Sequence, residues 1–405
     1  MTSPGEKQNS SSRPKTGNLP STVWALGLVS MFMDISSEII HSLLPIFLVT
    51  VLGAGAEAVG VIEGVAEATA MITRVFSGAV SDWIGKRKAL AVAGYGLGAL
   101  SKPLFALAPG VGLIFMARFV DRIGKGIRGA PRDALVADVA PAHARGAAFG
   151  LRQSLDNAGA FLGPLLAILL MEVVEGNFRV VFWVAFLPGL AAVAILLFGV
   201  KEPKGQPTGI KKFPFYRAEL AELGSRYWLV VAVGAGYALA RFSEAFLLLR
   251  AENVGLKSSL VPAVLVVMNI VYTLTAYPVG HLSDRIGRNG LMAMGLTVLI
   301  GSDLLLAFAG NVWLVLLGAA FWGLHLGLTQ GLLSALVADA AGPRQRGTAF
   351  GIFGLVSGVA LLLASLVAGW LWENFGAPAT FFNGAVLAGF ALAGFLALPS
   401  RGVNP

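Results

Sequence analysis

Apolar residues fall in long blocks along this chain, and charged residues or stretches rich in Gly, Pro and Asn separate the blocks. Blocks of about 20 apolar residues are typical of helices that cross a bilayer, because the hydrocarbon core is about 30 Å thick. The pattern predicts about twelve such helices. They are expected at residues 22–53, 59–81, 89–108, 112–139, 147–172, 178–200, 228–250, 259–280, 290–309, 313–338, 349–372 and 378–399.

The first and fourth of these spans are longer than a bilayer requires, and proline residues indicate where they bend. Pro45 lies in the first span, and the step Gly129-Ala-Pro131 lies in the fourth. Proline removes a backbone donor and crowds the preceding turn of a helix. We therefore predict a bend at each of these two places.

The composition agrees with a membrane protein. Of the 405 residues, 56% are hydrophobic and only 13% are charged, a charged share about half that of an ordinary soluble domain. The predicted fold class is an all-α membrane protein with twelve transmembrane helices. Cysteine is absent from the sequence, which excludes disulfides, thiolate metal ligands and cysteine nucleophiles.

Lysine and arginine in the connecting segments predict the orientation. If the predicted helices cross the membrane in turn, the connecting segments on one side are rich in cations, whereas those on the opposite side are mainly acidic. The cations include Lys86, Arg87, Lys88 and Arg145. Because cationic loops stay in the cytoplasm, both termini are predicted to be cytoplasmic. The net charge of +8 then reflects orientation, and nucleic acid is not an expected partner. Residues 1–20 lack the apolar core of a signal peptide and are predicted to be a disordered cytoplasmic tail.

The two halves of the chain repeat each other. The segment GAVSDWIGKRK at 78–88 recurs as GHLSDRIGRNG at 280–290, and ALVADVAPAHARGAAFG at 134–150 recurs as ALVADAAGPRQRGTAFG at 335–351. Two repeats in the same order indicate two related six-helix domains. We predict these domains at 21–200 and 227–400, joined by a polar cytoplasmic linker at 201–226.

The first repeated segment carries the residues of a known family. The pattern Gly78-x-x-x-Asp82-x-x-Gly85-Lys86-Arg87 resembles the signature loop of the major facilitator superfamily. The second-half copy retains the glycines, the aspartate and the arginine of that loop.

Two further motifs strengthen this resemblance. The sequence Arg118-Phe-Val-Asp121 is similar to the arginine motif of the family's fourth helix, although Asp121 and Arg122 stand where the family usually has Gln and Gly. Gly159-x-x-x-Gly163-Pro164 resembles the fifth-helix motif of the drug/proton antiporters, but the Gly-Gly pair that usually ends that motif is missing here.

The resemblance implies a secondary active transporter whose two six-helix bundles alternate around a central site. Its drug/proton branch exports small molecules and uses a proton gradient, with no bound cofactor. We therefore expect a small-molecule substrate and a monomer that spans a bacterial inner membrane several times.

The resemblance also assigns a gating role to two clusters of charge at the cytoplasmic face. Ion pairs that form in one conformation and break in the other can switch between two states. The alternative is that these residues only anchor helix ends at the headgroup region. The first cluster is Asp82, Asp138 and Arg145, and the second is Asp284, Asp339 and Arg346.

Charged residues within the predicted spans are the candidates for the transport site. Each charge in contact with lipid at this depth would cost about 2.5–3.5 kcal/mol, so these residues are expected to face the interior of the bundle. Most of them lie in the first half, where acidic and basic residues balance. The substrate-cavity candidates are His41, Glu63, Glu67, Asp121, Arg122, Lys125, Arg128, Arg132, Asp156, Arg241 and Glu244.

Helical spacing sorts the first-half charges into stripes. Asp34 and Glu38 share a face with His41, and Arg118 and Arg122 share a face with Lys125. Glu63 and Glu67 align on the second span in the same way. An acidic stripe on the first helix is therefore predicted to meet a basic stripe on the fourth.

Three hypotheses for these charges remain open. In the first, Asp34 or Glu38 carries the proton and Arg118 tunes its charge, because burial favours a neutral carboxyl group and a nearby cation favours an ionised one. In the second, the basic stripe from Arg122 to Arg132 binds an organic or phosphorylated anion. In the third, the charges are permanent struts, and substrate meets only apolar and aromatic side chains.

Other classes of protein are less consistent with the sequence. Asp34, Glu38, His41, Glu63 and Glu67 could hold a metal cation as cargo, but their spacing is not that of a metal site, and no bound metal is expected. A membrane receptor or scaffold that transports nothing is a further alternative. The sequence shows no phosphate-binding loop, nucleophile elbow or metal-ligand helix, so an enzyme is not expected.

Overall fold

Hydropathy and helix propensity produce a bundle of twelve long helices in the computed structural model, which describes residues 19–202, 223–286, 288–341 and 346–396. The described residues contain no strand. We number the long helices in chain order. They are α1 Ser21–His41, α2 Ala56–Ile84, α3 Arg87–Leu100, α4 Val111–Val139, α5 Arg145–Val173, α6 Phe178–Gly199, α7 Ser225–Ala240, α8 Ala263–Ile286, α9 Arg288–Ala307, α10 Val312–Ala340, α11 Arg346–Phe375 and α12 Ala377–Leu396.

The predicted all-α membrane fold is confirmed. Nine helical stretches within the described residues are long and apolar enough to cross a membrane. The apolar part of α8 covers only Ala263–Ala276, and α2 and α4 contain the charged residues of the site described below. Both α2 and α4 are continuous helices, so it is their charged residues that lower their hydropathy below that of a typical membrane span.

Three helices are interrupted within their spans. After His41, α1 turns and continues as Leu44–Ile46 and a π-helical turn at Phe47–Val51, so a break lies beside Pro45 as predicted. In contrast, α4 continues without interruption through Pro131. The other two breaks were not predicted. After them α3 resumes as Lys102–Leu107, and α7 resumes as Ala245–Asn253.

The bundle has two ends, which we name by their connections. The distal face carries the connections α1–α2, α5–α6, α7–α8 and α11–α12, and the terminal face carries the connections α2–α3 and α4–α5. One continuous apolar core joins both halves of the chain towards the distal face; it includes Phe47, Phe182, Phe246 and Phe381. Near the terminal face, separate cores contain residues of the first half alone or of the second half alone. The two halves are therefore packed together most extensively at the distal face.

Small residues bring α2 and α11 together at this closed end. A Cβ atom on Gly369 would lie only 2.8 Å from the carbonyl oxygen of Ala56, and one on Gly60 would lie still closer to the carbonyl oxygen of Ser365. Small residues permit this because no side chain separates the two backbones. The interface has no room for a larger residue at either glycine.

Two carboxylates bond the halves across the distal face. Glu373 of α11 accepts a hydrogen bond of 2.8 Å from the backbone N–H of Ala56, at the first residue of α2. Glu172 of α5 accepts from Lys257 at 2.8 Å and from Ser259 at 2.5 Å. These contacts close the distal face, and we call them the distal clasp.

We expect Glu373→Gln to weaken this closure, because the substitution removes the charge that faces the N-terminus of α2. A charged hydrogen bond at such a partly exposed site contributes about 1 kcal/mol, or about a factor of five in an equilibrium. Ser365→Cys, buried between α2 and α11, provides a single label site because the chain has no cysteine. Its reaction with a water-soluble maleimide should accelerate about fivefold in the Glu373→Gln background.

The matched control is Glu57→Gln, which removes an exposed carboxylate from the first turn of α2. Equal labelling rates in Glu373→Gln and Glu57→Gln would show that the clasp does not control opening.

Candidate functional site

Glycine residues of α4 allow its basic stripe to enter the middle of the first half. A Cβ atom on Gly124 would lie 2.6 Å from the carbonyl oxygen of Gly94 in α3. A Cβ atom on Gly126 would lie 2.9 Å from the carbonyl oxygen of Ala70 in α2. Because α4 packs so closely on both neighbours, its long cationic side chains reach acidic residues on other helices.

Two buried ion pairs form the centre of this half. Arg118 bonds Glu63 at 2.7 Å, and both side chains are only 1% exposed. Lys102 bonds Asp121 at 2.7 Å and also donates to Ser37 at 3.1 Å. Breaking such a pair on one side would leave an uncompensated buried charge, so these contacts fix the positions of α2, α3 and α4.

His41 connects the central pair to α1. Its Nδ1 atom lies 3.3 Å from a carboxylate oxygen of Glu38, and its Nε2 atom lies 3.7 Å from a carboxylate oxygen of Glu63. His41 therefore lies in the interior between carboxylates of α1 and α2. The described residues contain no group of three or more acidic, histidine or cysteine side chains arranged to hold a metal ion.

Further along α4, two arginines pair with carboxylates of different helices. Arg122 lies 3.2 Å from Glu67 of α2, and Arg128 lies 3.6 Å from Asp34 of α1. The guanidinium of Arg128 also stacks on the ring of Tyr95, 4.9 Å from its centroid. The basic stripe thus meets acidic residues on both α1 and α2, rather than on α1 alone.

A second charge cluster lies toward the terminal face. Arg132 donates to Ser30 at 3.0 Å and lies 3.7 Å from Asp156, which Arg152 bonds at 2.5 Å. Asp133 lies within 4 Å of Arg132 and also of Arg152. Asp156 therefore extends the network into α5.

Lys125 differs from its neighbours on α4 because its side chain is exposed. It lies between Arg122 and Arg128, both of which are buried. Electrostatic interactions connect it to Glu67, Asp34 and Glu38, so it faces the acidic residues of α1 and α2 from the water-accessible side. Among the described contacts of 4 Å or less, Lys125 forms no ion pair.

The second half contributes two charges at the break in α7. Arg241 ends α7, and Glu244 precedes the helix that resumes at Ala245. Arg241 stacks on Tyr237, 6.0 Å from the ring centroid, and interacts electrostatically with Glu67. Glu244 interacts with His41 and Glu38 in the same way. The structure therefore brings charges of both halves around one central region.

The glycines of the fifth-helix motif pack against α1 beside its two carboxylates. A Cβ atom on Gly159 would lie 2.9 Å from that of Asp34, and one on Gly163 would lie 2.5 Å from that of Glu38. The two glycines thus act as small residues that let α5 and α1 approach closely. The motif fixes the backbone of the segment that carries Asp34 and Glu38.

The signature loop turns at its second glycine, not at the one that begins the motif. Gly78 is inside α2 and packs near Ala130, whereas Gly85 has a φ of 66° and ends the helix. Only a residue without a Cβ adopts this conformation easily. From the same loop, Arg87 bonds Asp138 at the end of α4.

The other predicted gating residues are only partly described. The side chains of Asp82, Asp284 and Arg346 lie outside the described residues. Arg145 and Asp339 are exposed at the terminal face.

Sequence reasoning missed some polar partners of the network. Tyr95 and Ser30 bond each other at 3.2 Å and contact Arg128 and Arg132. No helical spacing indicates such contacts between helices. Arg152 stands four residues before Asp156, a spacing that could have indicated their ion pair.

Comparison with known proteins identifies the family. A family model described as the Major Facilitator Superfamily matches residues 26–249 and 242–404. An uncharacterized MFS-type transporter of Methanocaldococcus jannaschii is 32% identical over 390 residues, which cover 95% of this chain and 95% of that protein. The quinolone resistance protein NorA of Staphylococcus aureus is 22% identical, with coverage of 86% and 89%.

Solved structures agree on the fold. A crystal structure of the nucleoside transporter NupG superposes with a TM-score of 0.78 at 14% identity and covers 94% of this chain and 100% of that one. With twelve helices, paired signature loops and buried charges in α4, the chain belongs to the major facilitator superfamily of membrane transporters.

Proposed function

We propose that this transporter exports a small molecule in exchange for protons, and that Asp34 and Glu38 carry the protons. The observation that supports this choice is how far the carboxylates of the network are buried and paired. Glu63 and Asp121 are closely paired and almost completely buried, whereas the side chains of Asp34 and Glu38 are 27% and 21% exposed. Asp34 and Glu38 are thus within reach of water and of substrate.

Their partners are also more distant than those of the central pairs. Arg128 lies 3.6 Å from Asp34, and His41 lies 3.3 Å from Glu38. A carboxylate held at this longer distance loses less pairing energy on protonation than a closely bonded one, and Arg128 keeps its stacking on Tyr95 when Asp34 is neutral. Arg118 acts on Glu38 indirectly, because Glu63 and His41 lie between them.

We further propose that the substrate carries an anionic group next to an apolar ring. Arg122, Arg128 and Arg132 already face carboxylates, so they are struts of the bundle and not free anion ligands. Lys125 is exposed and forms no ion pair within 4 Å among the described contacts. A quinolone has both a carboxylate and an aromatic ring, and one relative is named a quinolone resistance protein.

The cationic loops of the terminal face lead us to propose that this face lies in the cytoplasm of a bacterial cell. Closure at the distal face then corresponds to an inward-facing state, from which opening of the distal clasp would release substrate outside. Asp82 and Asp284 are proposed to control the reverse closure at the terminal face.

Neutral variants of the two carboxylates test the proton coupling. We expect Asp34→Asn or Glu38→Gln to abolish transport of ciprofloxacin, a fluorescent quinolone, against its gradient in proteoliposomes with an imposed pH difference. Exchange of ciprofloxacin at equal pH should remain, because it requires no net proton movement. Gradient-driven transport in the double variant at the wild-type rate would place coupling elsewhere.

A double-mutant cycle tests whether the central charges are struts. Glu63→Gln should lower the stability of the purified protein by about 3–5 kcal/mol, because Arg118 then remains charged, buried and unpaired. Adding Arg118→Gln should restore most of that loss, and melting temperature measures both effects. Additive losses in the double variant would contradict a strut.

Lys125→Gln tests the substrate contact, with Arg122→Gln as its comparison. The Lys125 variant should keep the wild-type melting temperature and bind ciprofloxacin more weakly by about 1.5–3 kcal/mol, or about 10–100-fold. Arg122→Gln should instead lower the melting temperature, since Glu67 loses its partner. Unchanged ciprofloxacin affinity in Lys125→Gln would exclude Lys125 as the anion ligand.

A further inference from the structure

Asp303 is a buried carboxyl group outside the charge network of the first half. It lies within α9, is 0% exposed, and neither of its carboxyl oxygens has a hydrogen-bond partner among the described residues. A Cβ atom on Gly384 of α12 would lie 2.6 Å from Asp303 Oδ2 and 2.8 Å from Cε1 of Phe242. An aromatic ring and a close-packed helix therefore enclose this carboxyl group.

Among the residues that the structure describes, no cation bonds Asp303. The neighbouring Ser302 donates its hydroxyl to the carbonyl oxygen of Gly318 instead. The neighbouring helix α12, residues 377–396, contains no titratable side chain. An ionised carboxylate with neither a hydrogen bond nor a counter-ion is too costly to bury, and such a group takes up a proton instead. Asp303 is therefore neutral in this distal-closed conformation.

A potential donor lies unused on the neighbouring helix α10. Nε1 of Trp322 is buried without a hydrogen-bond partner among the described residues. The ring of His325 lies 6.1 Å from that of Trp322; it interacts with the backbone of Gly295, and its Nε2 atom lies 3.4 Å from the hydroxyl of Tyr237. Unpaired buried polar atoms are uncommon in folded proteins, so the two oxygens of Asp303 and Nε1 of Trp322 together indicate a second arrangement in which they are used.

Phe242 lies near both Asp303 and Trp322. Its ring contacts that of Trp322 at 5.5 Å, and its edge lies beside the carboxyl group at Gly384. Phe242 belongs to the non-helical segment 241–244, where α7 is interrupted and where Arg241 is the adjacent residue. A rearrangement of this short segment would move the aromatic ring and the neighbouring cation together.

We propose that Asp303 is a second proton-binding site, which holds its proton while the distal face is closed and releases it when segment 241–244 rearranges on opening. On release, the carboxyl O–H bond breaks and the proton passes to water of the opened cleft. On the side of α7 and α10 the titratable groups beside this segment are Arg241, Tyr237 and His325, which interact with one another. The role of Asp303 in transport rests on the proposed proton exchange. Its protonation in the distal-closed state does not depend on that proposal.

Infrared spectroscopy of the purified protein tests this site without any substrate. At neutral pH the wild type should show the carbonyl stretch of a protonated carboxyl group, and Asp303→Asn should lack that band. Asp303→Glu should retain a shifted band, which provides the comparison if the asparagine variant does not fold. An identical band in the wild type and in both variants would overturn the assignment.

A forced opening of the distal face tests the release. Gly369→Trp cannot keep the α2–α11 contact, because even a Cβ atom there meets the backbone of Ala56. Gly389→Trp is the matched control, because a Cβ atom on Gly389 would meet no neighbouring atom within 4 Å. The Asp303 band should disappear in Gly369→Trp and persist in Gly389→Trp. A band that persists in both would show a permanently protonated residue and overturn the proposal, whatever the substrate is.

Discussion

The pairing of buried charge across three helices is the constraint on which this fold depends. A buried cation in the middle of a membrane protein is costly unless a carboxylate, backbone carbonyls or water stabilise it, and α4 carries the buried residues Arg118, Arg122 and Arg128. Glu63, Glu67 and Asp34 provide the opposite charges from α2 and α1. The close approach of the helices at glycine makes these distances possible, so packing and electrostatics determine each other here.

The two halves share a fold but use different physical means to fill their interiors. In the first half the interior is ionic, and most of its charges are committed to neighbours. In the second half aromatic rings predominate; Phe242, Trp322 and Phe381 form a contiguous group, and Phe242 lies near Asp303 at Gly384. A carboxyl group in the aromatic interior responds to movement of a single ring, whereas one in the ionic network responds to all its neighbours.

Much of the fold could be predicted from the sequence because bilayer thickness and hydropathy determine where helices begin and end. The faces of α1, α2 and α4 also followed from helical spacing. The pairing between those faces did not, since spacing indicates which residues share a face but not which helix lies opposite. Arg118 meets Glu63 and not the acidic residues of α1, because α2 packs closely on α4 through Gly126. The break at 241–244 contains neither proline nor glycine, so only the packed structure reveals it.

The bond between Glu373 and the first N–H of α2 has a consequence for the speed of opening. This helix has no side-chain cap of its own, and the carboxylate from the opposite half serves instead. When the halves separate, water can take over both the N–H group and the carboxylate, because Glu373 lies at the surface. Part of the barrier to separation is thereby removed by solvent. The cap keeps the two halves aligned while they are in contact. When they separate, both of its groups are hydrated, so no buried unpaired charge slows the opening.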